Sequence, residues 1–252
     1  MFIRNTWYPC AWSNEIGRTL FERWVCNIPM VFYRTEAGAP VALNNRCAHR
    51  RAPLSKGQLL GDRVQCGYHG LEFDCTGKCV RIPGQDQIPE QAGVRSYPVV
   101  DRWRFLWVWP GDPEKADPAL IPDLHWNDSP GWVSPGDTLT IDCDWLLDLD
   151  NLMDLSHLTY LHGRTIGTPY VSEFPAVTEV VGDRVRVTRW MIDRAARRPA
   201  RARLRATAAR ASRRVRSISS RRSPTATRSI SGRTVATTVL TTRRSPVRST
   251  RT

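Results

Sequence analysis

Along residues 1–110, apolar and β-branched residues come in short runs broken by turn formers. Trp24-Val-Cys-Asn-Ile28 and Pro29-Met-Val-Phe-Tyr-Arg34 read as strands, followed by a turn at Glu36-Ala-Gly-Ala-Pro40. Val41-Ala-Leu-Asn44 resumes the pattern, and Leu71-Glu-Phe-Asp74 breaks at Thr76-Gly77. Tyr97-Pro-Val-Val100 precedes Arg104-Phe-Leu-Trp-Val-Trp109, which Pro110-Gly111 stops. Short strands at this spacing predict a small all-β domain, and the proline-rich stretch 111–136 reads as linker. The period then changes. Residues 142–162 carry apolar side chains at helical spacing and end at Gly163, a helix stop. Val177–Val181 and Arg184–Ile192, separated by Gly182-Asp183, read as a hairpin. The expected class is α+β: an all-β domain over 1–112, an incomplete α+β segment over 113–193, and a tail over 194–252.

Composition changes the picture mainly at that tail. The 252 residues hold 37 Lys and Arg against 24 Asp and Glu, a net charge of +13. Every acid lies in residues 1–193, whereas 194–252 hold 18 arginines and no Asp, Glu, Lys, Cys, His or aromatic residue. The front of the chain is therefore net acidic, which excludes reading the whole as a basic nucleic-acid-binding domain. No apolar stretch approaches the roughly 20 residues needed to span a bilayer. The N-terminus lacks the charged-then-apolar-then-small order of a secretory signal. The expected location is the cytoplasm, where seven cysteines serve as thiols or metal ligands rather than as a disulfide framework.

The strongest chemical signal is Cys47-Ala-His49, followed after 16 residues by Cys66-Gly-Tyr-His69. A [2Fe–2S] centre of mixed ligation needs two thiolates on one iron and two imidazoles on the other, and each loop supplies one of each. Gly67 and Gly70 would let backbone N–H groups approach the cluster sulfurs. A tetrahedral zinc also accepts two Cys and two His, although zinc spacings usually group like with like. Cys10, Cys26, Cys75, Cys79 and Cys143 are assigned no chemistry.

The second signal is Asn151-Leu-Met-Asp154-Leu-Ser-His157-Leu-Thr-Tyr-Leu-His162. At about 100° per residue, Asp154 and His157 share a helix face, so the carboxylate can reach the imidazole. His157 and His162 lie about 140° apart on an ideal helix and share a metal only if the helix loosens there. Two His with one carboxylate is the facial triad of non-haem Fe(II) oxygenases. Asp154 would then orient an imidazole rather than bind iron. The competing reading is an amphipathic helix with ordinary surface histidines.

Together these motifs, with Arg4-Asn-Thr-Trp-Tyr8, His49-Arg-Arg-Ala-Pro-Leu54, Tyr68-His-Gly-Leu-Glu-Phe73 and Asp150-Asn-Leu-Met-Asp154, resemble the oxygenase component of Rieske non-haem iron oxygenases. Within that family they look closest to the vanillate O-demethylase branch. The resemblance implies a Rieske β-domain followed by a helix-grip domain. It implies Cys47, His49, Cys66 and His69 as cluster ligands, His157 and His162 as ligands of a mononuclear Fe(II), and Asp154 as the bridge between centres. It further implies a homotrimer, O2, a separate NAD(P)H-dependent reductase and an aromatic substrate such as vanillate. Hydroxylation of its methoxy carbon would give a hemiacetal that releases formaldehyde. No membrane or nucleic-acid partner is expected.

The chain departs from the family pattern after Asp193. The family's third iron ligand is a downstream Asp, and the acid-free tail offers none. Its Arg/Ala/Ser/Thr composition is what a GC-rich gene yields when read out of frame, so the end of the catalytic domain reads as lost or frameshifted. The alternative is a basic arm, and on either reading the tail is expected to be disordered. The competing functions are a cluster-bearing electron carrier and an inactive truncated remnant.

Overall fold

The computed structural model describes residues 2–130, 132–133, 136–164, 167, 169–181 and 184–190, and the backbone of 234–239 and 242–243. The chain divides into two units, residues 1–138 with 237–252, and residues 139–236.

Residues 8–108 of the first unit form three small antiparallel sheets. One places β1 (Tyr8–Trp12), β10 (Phe105–Val108) and β9 (Val99–Arg102) side by side. The second joins β2 (Phe21–Val25), β3 (Ile28–Arg34) and β4 (Pro40–Asn44). The third runs in chain order through β5 (Gln58–Leu60), β6 (Arg63–Gln65), β7 (Glu72–Phe73) and β8 (Cys79–Arg81).

Side-chain alternation explains why these sheets stack. On β3 and β4, Val31, Tyr33, Val41 and Leu43 point into one apolar cluster, while Met30, Phe32 and Ala42 point into another. On β10, Leu106 and Val108 complete that second cluster, whereas Phe105 and Trp107 meet Trp7, Trp12 and Trp109 in a third. Strands buried on both faces read as continuous apolar runs, as Phe105–Val108 does.

Two turns refine the expected strands. The run 24–28 is not one strand, because Cys26 and Asn27 both take left-handed φ (50° and 61°) and close a two-residue hairpin between β2 and β3. Trp103 and Arg104 do the same between β9 and β10, at 57° and 67°. Nor is 111–130 an open linker. It forms three short 3-10 turns, the first two capped by Asp112 and Asp117. Ile121 packs into the tryptophan cluster, and the buried Asn127 donates to the Trp103 carbonyl at 3.1 Å.

In the second unit, α1 (Trp145–Met153) starts at Asp144, whose side chain accepts from the Leu146 N–H. The expected single helix is interrupted: α1 stops before Asp154, and α2 resumes over His157–Tyr160. The hairpin forms as expected, from β13 (Val177–Val181) and β14 (Arg184–Thr188). Among the described residues of this unit, Val171 is the one buried apolar side chain, while Leu146, Leu147, Leu149 and Leu152 on α1 are exposed.

The arginine-rich tail, expected to hold no element, contains β15 (Thr234–Val239) and β16 (Thr242–Arg243). They pair with β12 (Gly136–Ile141) and β11 (Trp132–Val133) respectively. Residues 234–242 are the longest arginine-free run of the tail and are rich in Thr and Val, which favour extended backbone. The rest of the tail lies outside the described residues. No described helix is long and apolar enough to cross a membrane.

Candidate metal centres

The two Cys/His loops are made alike. In the first, the Cys47 N–H donates to the Ala52 carbonyl at 2.9 Å, and the Arg51 N–H returns to the Cys47 carbonyl at 3.0 Å. In the second, the Cys66 N–H donates to Leu71 at 2.8 Å and the Gly70 N–H to Cys66 at 3.0 Å. Each loop thus closes on residues four and five beyond its cysteine. The residue at the fourth step is left-handed in both, Arg51 at φ 60° and Gly70 at φ 72°.

This construction sorts the donors by burial. Cys47 and Cys66 are 1% and 2% exposed within the apolar cluster of Val31, Tyr33, Leu54 and Phe73, whereas both imidazoles are exposed. Burial pushes the Cys47 thiol up to about 11, opposed by the backbone N–H groups of His49 and Arg50, and the neighbouring Cys66 thiol adds to the rise. The His49 and His69 rings stand 4.6 Å apart between centroids.

Among the described residues, no three or more His, Cys, Asp or Glu are grouped to hold a single metal ion. A two-iron cluster asks instead for two ligands at each end. A thiol pair on the buried side and an imidazole pair on the exposed side fit that demand.

Glycines also let the two loops pack closely. A Cβ on Gly57 would collide with the Gln65 carbonyl, and Gly67 sits against Lys56 and Gly57. The 3-10 turn Leu54–Lys56, which follows the first loop, is therefore pressed backbone to backbone against the second. Sequence reasoning passed over Gly57, for which Ser55-Lys56-Gly57 was the available turn signal.

The second centre differs more from expectation. The Asp154 carboxylate feels the His157 charge but makes no hydrogen bond to that imidazole. Its Oδ1 accepts from the Ser156 N–H at 2.9 Å and the Ser156 hydroxyl at 2.6 Å, and these bonds hold its pKa below the ordinary value. The Asp154 backbone carbonyl meets His157 Nδ1 instead, at 2.5 Å. A carbonyl only accepts, so Nδ1 carries the proton and Nε2 keeps its lone pair, the form a metal ligand needs. Because α2 ends at Tyr160, His162 lies in the turn beyond it, and the His157 and His162 rings stand 5.2 Å apart between centroids.

A cavity of about 480 Å³ opens beside Asp154, lined by Asp150, Met153, Leu155, Thr178, Val187 and Arg189 among others. Arg189 has Nε and Nη1 buried there without a hydrogen-bond partner. Neither Ser156 nor Arg189 was singled out from sequence. Ser156 carried a signal, being an Asp-x-Ser turn in a helical run.

A β-domain presenting two Cys/His loops, followed by a unit carrying a loosened two-histidine helix, defines a Rieske-type oxygenase subunit, and the chain belongs to that family. The Rieske [2Fe-2S] domain family matches residues 6–98, and the vanillate O-demethylase oxygenase C-terminal domain family matches 141–236. The second match runs past Asp193, so family similarity is not confined to the stretch before the arginines. The chain is 45% identical over 191 residues to the vanillate O-demethylase oxygenase subunit of Pseudomonas sp. (strain HR199), covering 76% of this chain and 54% of that protein. It is 45% identical over 197 residues to the toluene-4-sulfonate monooxygenase system iron-sulfur subunit TsaM1 of Comamonas testosteroni, covering 77% and 57%. The crystal structure of dicamba monooxygenase bound to dicamba superposes with a TM-score of 0.67 at 40% identity, covering 72% of this chain and 55% of that one. The chain thus spans a little over half the length of the curated relatives it matches.

Proposed function

We propose that the chain acts as the oxygenase component of a Rieske-type monooxygenase that O-demethylates or hydroxylates an aromatic acid such as vanillate. Electrons come from a separate NAD(P)H-dependent reductase, in the cytoplasm. In this reading residues 1–112 form the Rieske domain and 113–193 the iron-bearing segment, with three copies assembled as a trimer. The observation that carries it is the sequence of two donor sets in one chain: paired thiols and paired imidazoles first, then His157 and His162 with Nε2 of His157 free to ligate.

Cys47, His49, Cys66 and His69 would hold the cluster, and His157 and His162 the mononuclear iron. Bound there, the two centres would supply one-electron transfer and oxygen activation. The chain's own residues do the rest. Asp154 Oδ1 is committed to Ser156, so a bridging hydrogen bond to an imidazole falls to Oδ2. Arg189 offers two unpaired donors to the cavity, suited to a carboxylate or sulfonate on an arene. Met153, Leu155 and Val187 supply apolar wall for the ring.

A second reading is favoured by the acid-free composition after Asp193. Without a downstream carboxylate the two histidines lack their third partner, and the chain would accept electrons without completing turnover. Metal analysis with an assay separates the two. Three irons per chain, two acid-labile sulfides and formaldehyde from vanillate in the presence of reductase support the oxygenase. Two irons and no formaldehyde support the carrier or remnant, and zinc without sulfide defeats both.

A further inference from the structure

Among the described residues, Glu72 is the one buried charged side chain, and the oxygenase reading gives it no role. Its side chain is 4% exposed and is held on three sides. Arg81 Nη1 donates to Oε1 at 2.8 Å, Gln65 Nε2 donates to Oε1 at 3.3 Å, and Arg63 Nη1 lies 3.1 Å from Oε2. Gln65 and Glu72 are register partners, the last pair of β6 and β7 before the loop from Cys66 to Leu71. Arg63 comes from the same strand as Gln65, and Arg81 faces Glu72 from β8. One acid therefore ties three strands together at the root of the loop that carries Cys66 and His69.

We propose that Glu72 is a positioning residue for the cluster, setting the second ligand loop in place and fixing the local charge against which the cluster is reduced. This rests on the cluster reading of the Cys47/His49 and Cys66/His69 loops. The group of one carboxylate and two guanidiniums carries one net positive charge. Removing the carboxylate leaves two, which favours the more negative, reduced cluster. Removing Arg81 leaves none, which favours the oxidised one. The two changes act in opposite directions, whereas mere loosening of the sheet would displace both variants alike.

The test is the midpoint potential and the paramagnetic spectrum of the reduced cluster in the full chain, for wild type, Glu72→Gln and Arg81→Gln. Glu72→Gln should raise the potential and Arg81→Gln should lower it, each changing the reduction equilibrium on the order of tenfold, which is about 59 mV for one electron. Should Glu72→Gln fail to fold, Glu72→Asp keeps the charge and takes its place: a potential held near wild type while Arg81→Gln, more than half exposed at its side chain, falls supports the inference, and a fall in both overturns it. Unchanged potentials, or shifts of one sign in both variants, overturn it while leaving the cluster reading intact. A wild-type chain with no cluster takes both down.

Discussion

His157 and His162 bring their rings to 5.2 Å at an interplanar angle of 69°, although an unbroken helix would point them to different sides. What brings them together is the end of α2 at Tyr160, which leaves His162 in the turn beyond it, while the start of α2 is set by Asp154. Its Oδ1 caps Ser156, its carbonyl fixes the His157 tautomer, and α2 starts afresh one turn later. The residue expected to act through its charge acts first through its backbone.

Asp154→Asn keeps an oxygen that accepts from Ser156, so the turn and both metals should survive, while electron transfer to the mononuclear iron slows. Asp154→Ala removes the cap as well and should also lower the iron content. Rapid-reaction traces of cluster oxidation, together with iron analysis, separate the two effects. The lowered Asp154 pKa means its capping is present above the ordinary carboxylate range and is lost as pH falls through the lowered value.

Cys47→Ser should abolish the cluster, because a buried hydroxyl is a poor substitute for thiolate. His157→Ala should cost one iron and leave the cluster in place. Acid-labile sulfide should fall to nothing in the first variant and stay at the wild-type level in the second. Assembly onto a thiol whose pKa is raised should also release protons, measurable in weak buffer as the reduced apo-chain takes up iron and sulfide.

Gly57→Ala should be among the most damaging single-methyl additions, since the new carbon meets the Gln65 carbonyl at the foot of the second ligand loop. Gly17→Ala meets nothing within 4 Å at an ordinary φ and should be neutral or slightly stabilising. Visible absorbance per mole of chain and the melting temperature should drop for the first and hold for the second.

Glu72 should govern the acid limb of stability. The Arg81 hydrogen bond holds its pKa below the ordinary value of 4.5, against the cost of burial. The folded chain therefore gains stability from the ionised form above that range and loses it as pH falls through the lowered value. Glu72→Gln should cost about 1–3 kcal/mol near neutrality, less than for a fully buried pair because both arginines are half exposed. The gap to wild type should narrow in acid. Denaturant titrations from pH 3 to 7 on the order of a unit apart read this directly.

Arg189→Gln should weaken binding of vanillate far more than binding of the matching uncharged benzyl alcohol. Calorimetric titration needs no turnover. Equal losses for both ligands would remove the carboxylate role.

The cluster loops were legible in the sequence because their chemistry is local, two residue types at short spacing, and both thiols and both imidazoles do meet. What could not be read was the identity of the loops' backbone circuits, or the acid at their root, since Glu72 is bound by partners on three strands that no periodicity connects. The turn at Cys26-Asn27 carried a signal in its asparagine, whereas Trp103-Arg104 carried none. The helix through 142–162 was overextended because apolar spacing continues across Asp154, while the cap that stops it depends on one hydroxyl at Ser156.

With Cys47, His49, Cys66 and His69 as the proposed ligands, their uneven burial would make the Rieske domain electrically one-sided. Its sulfur end is insulated by a wall of Val31, Tyr33, Leu54 and Phe73, and its nitrogen end opens outward. A donor and an acceptor must therefore take turns at the same doorway, or stand shoulder to shoulder in front of it.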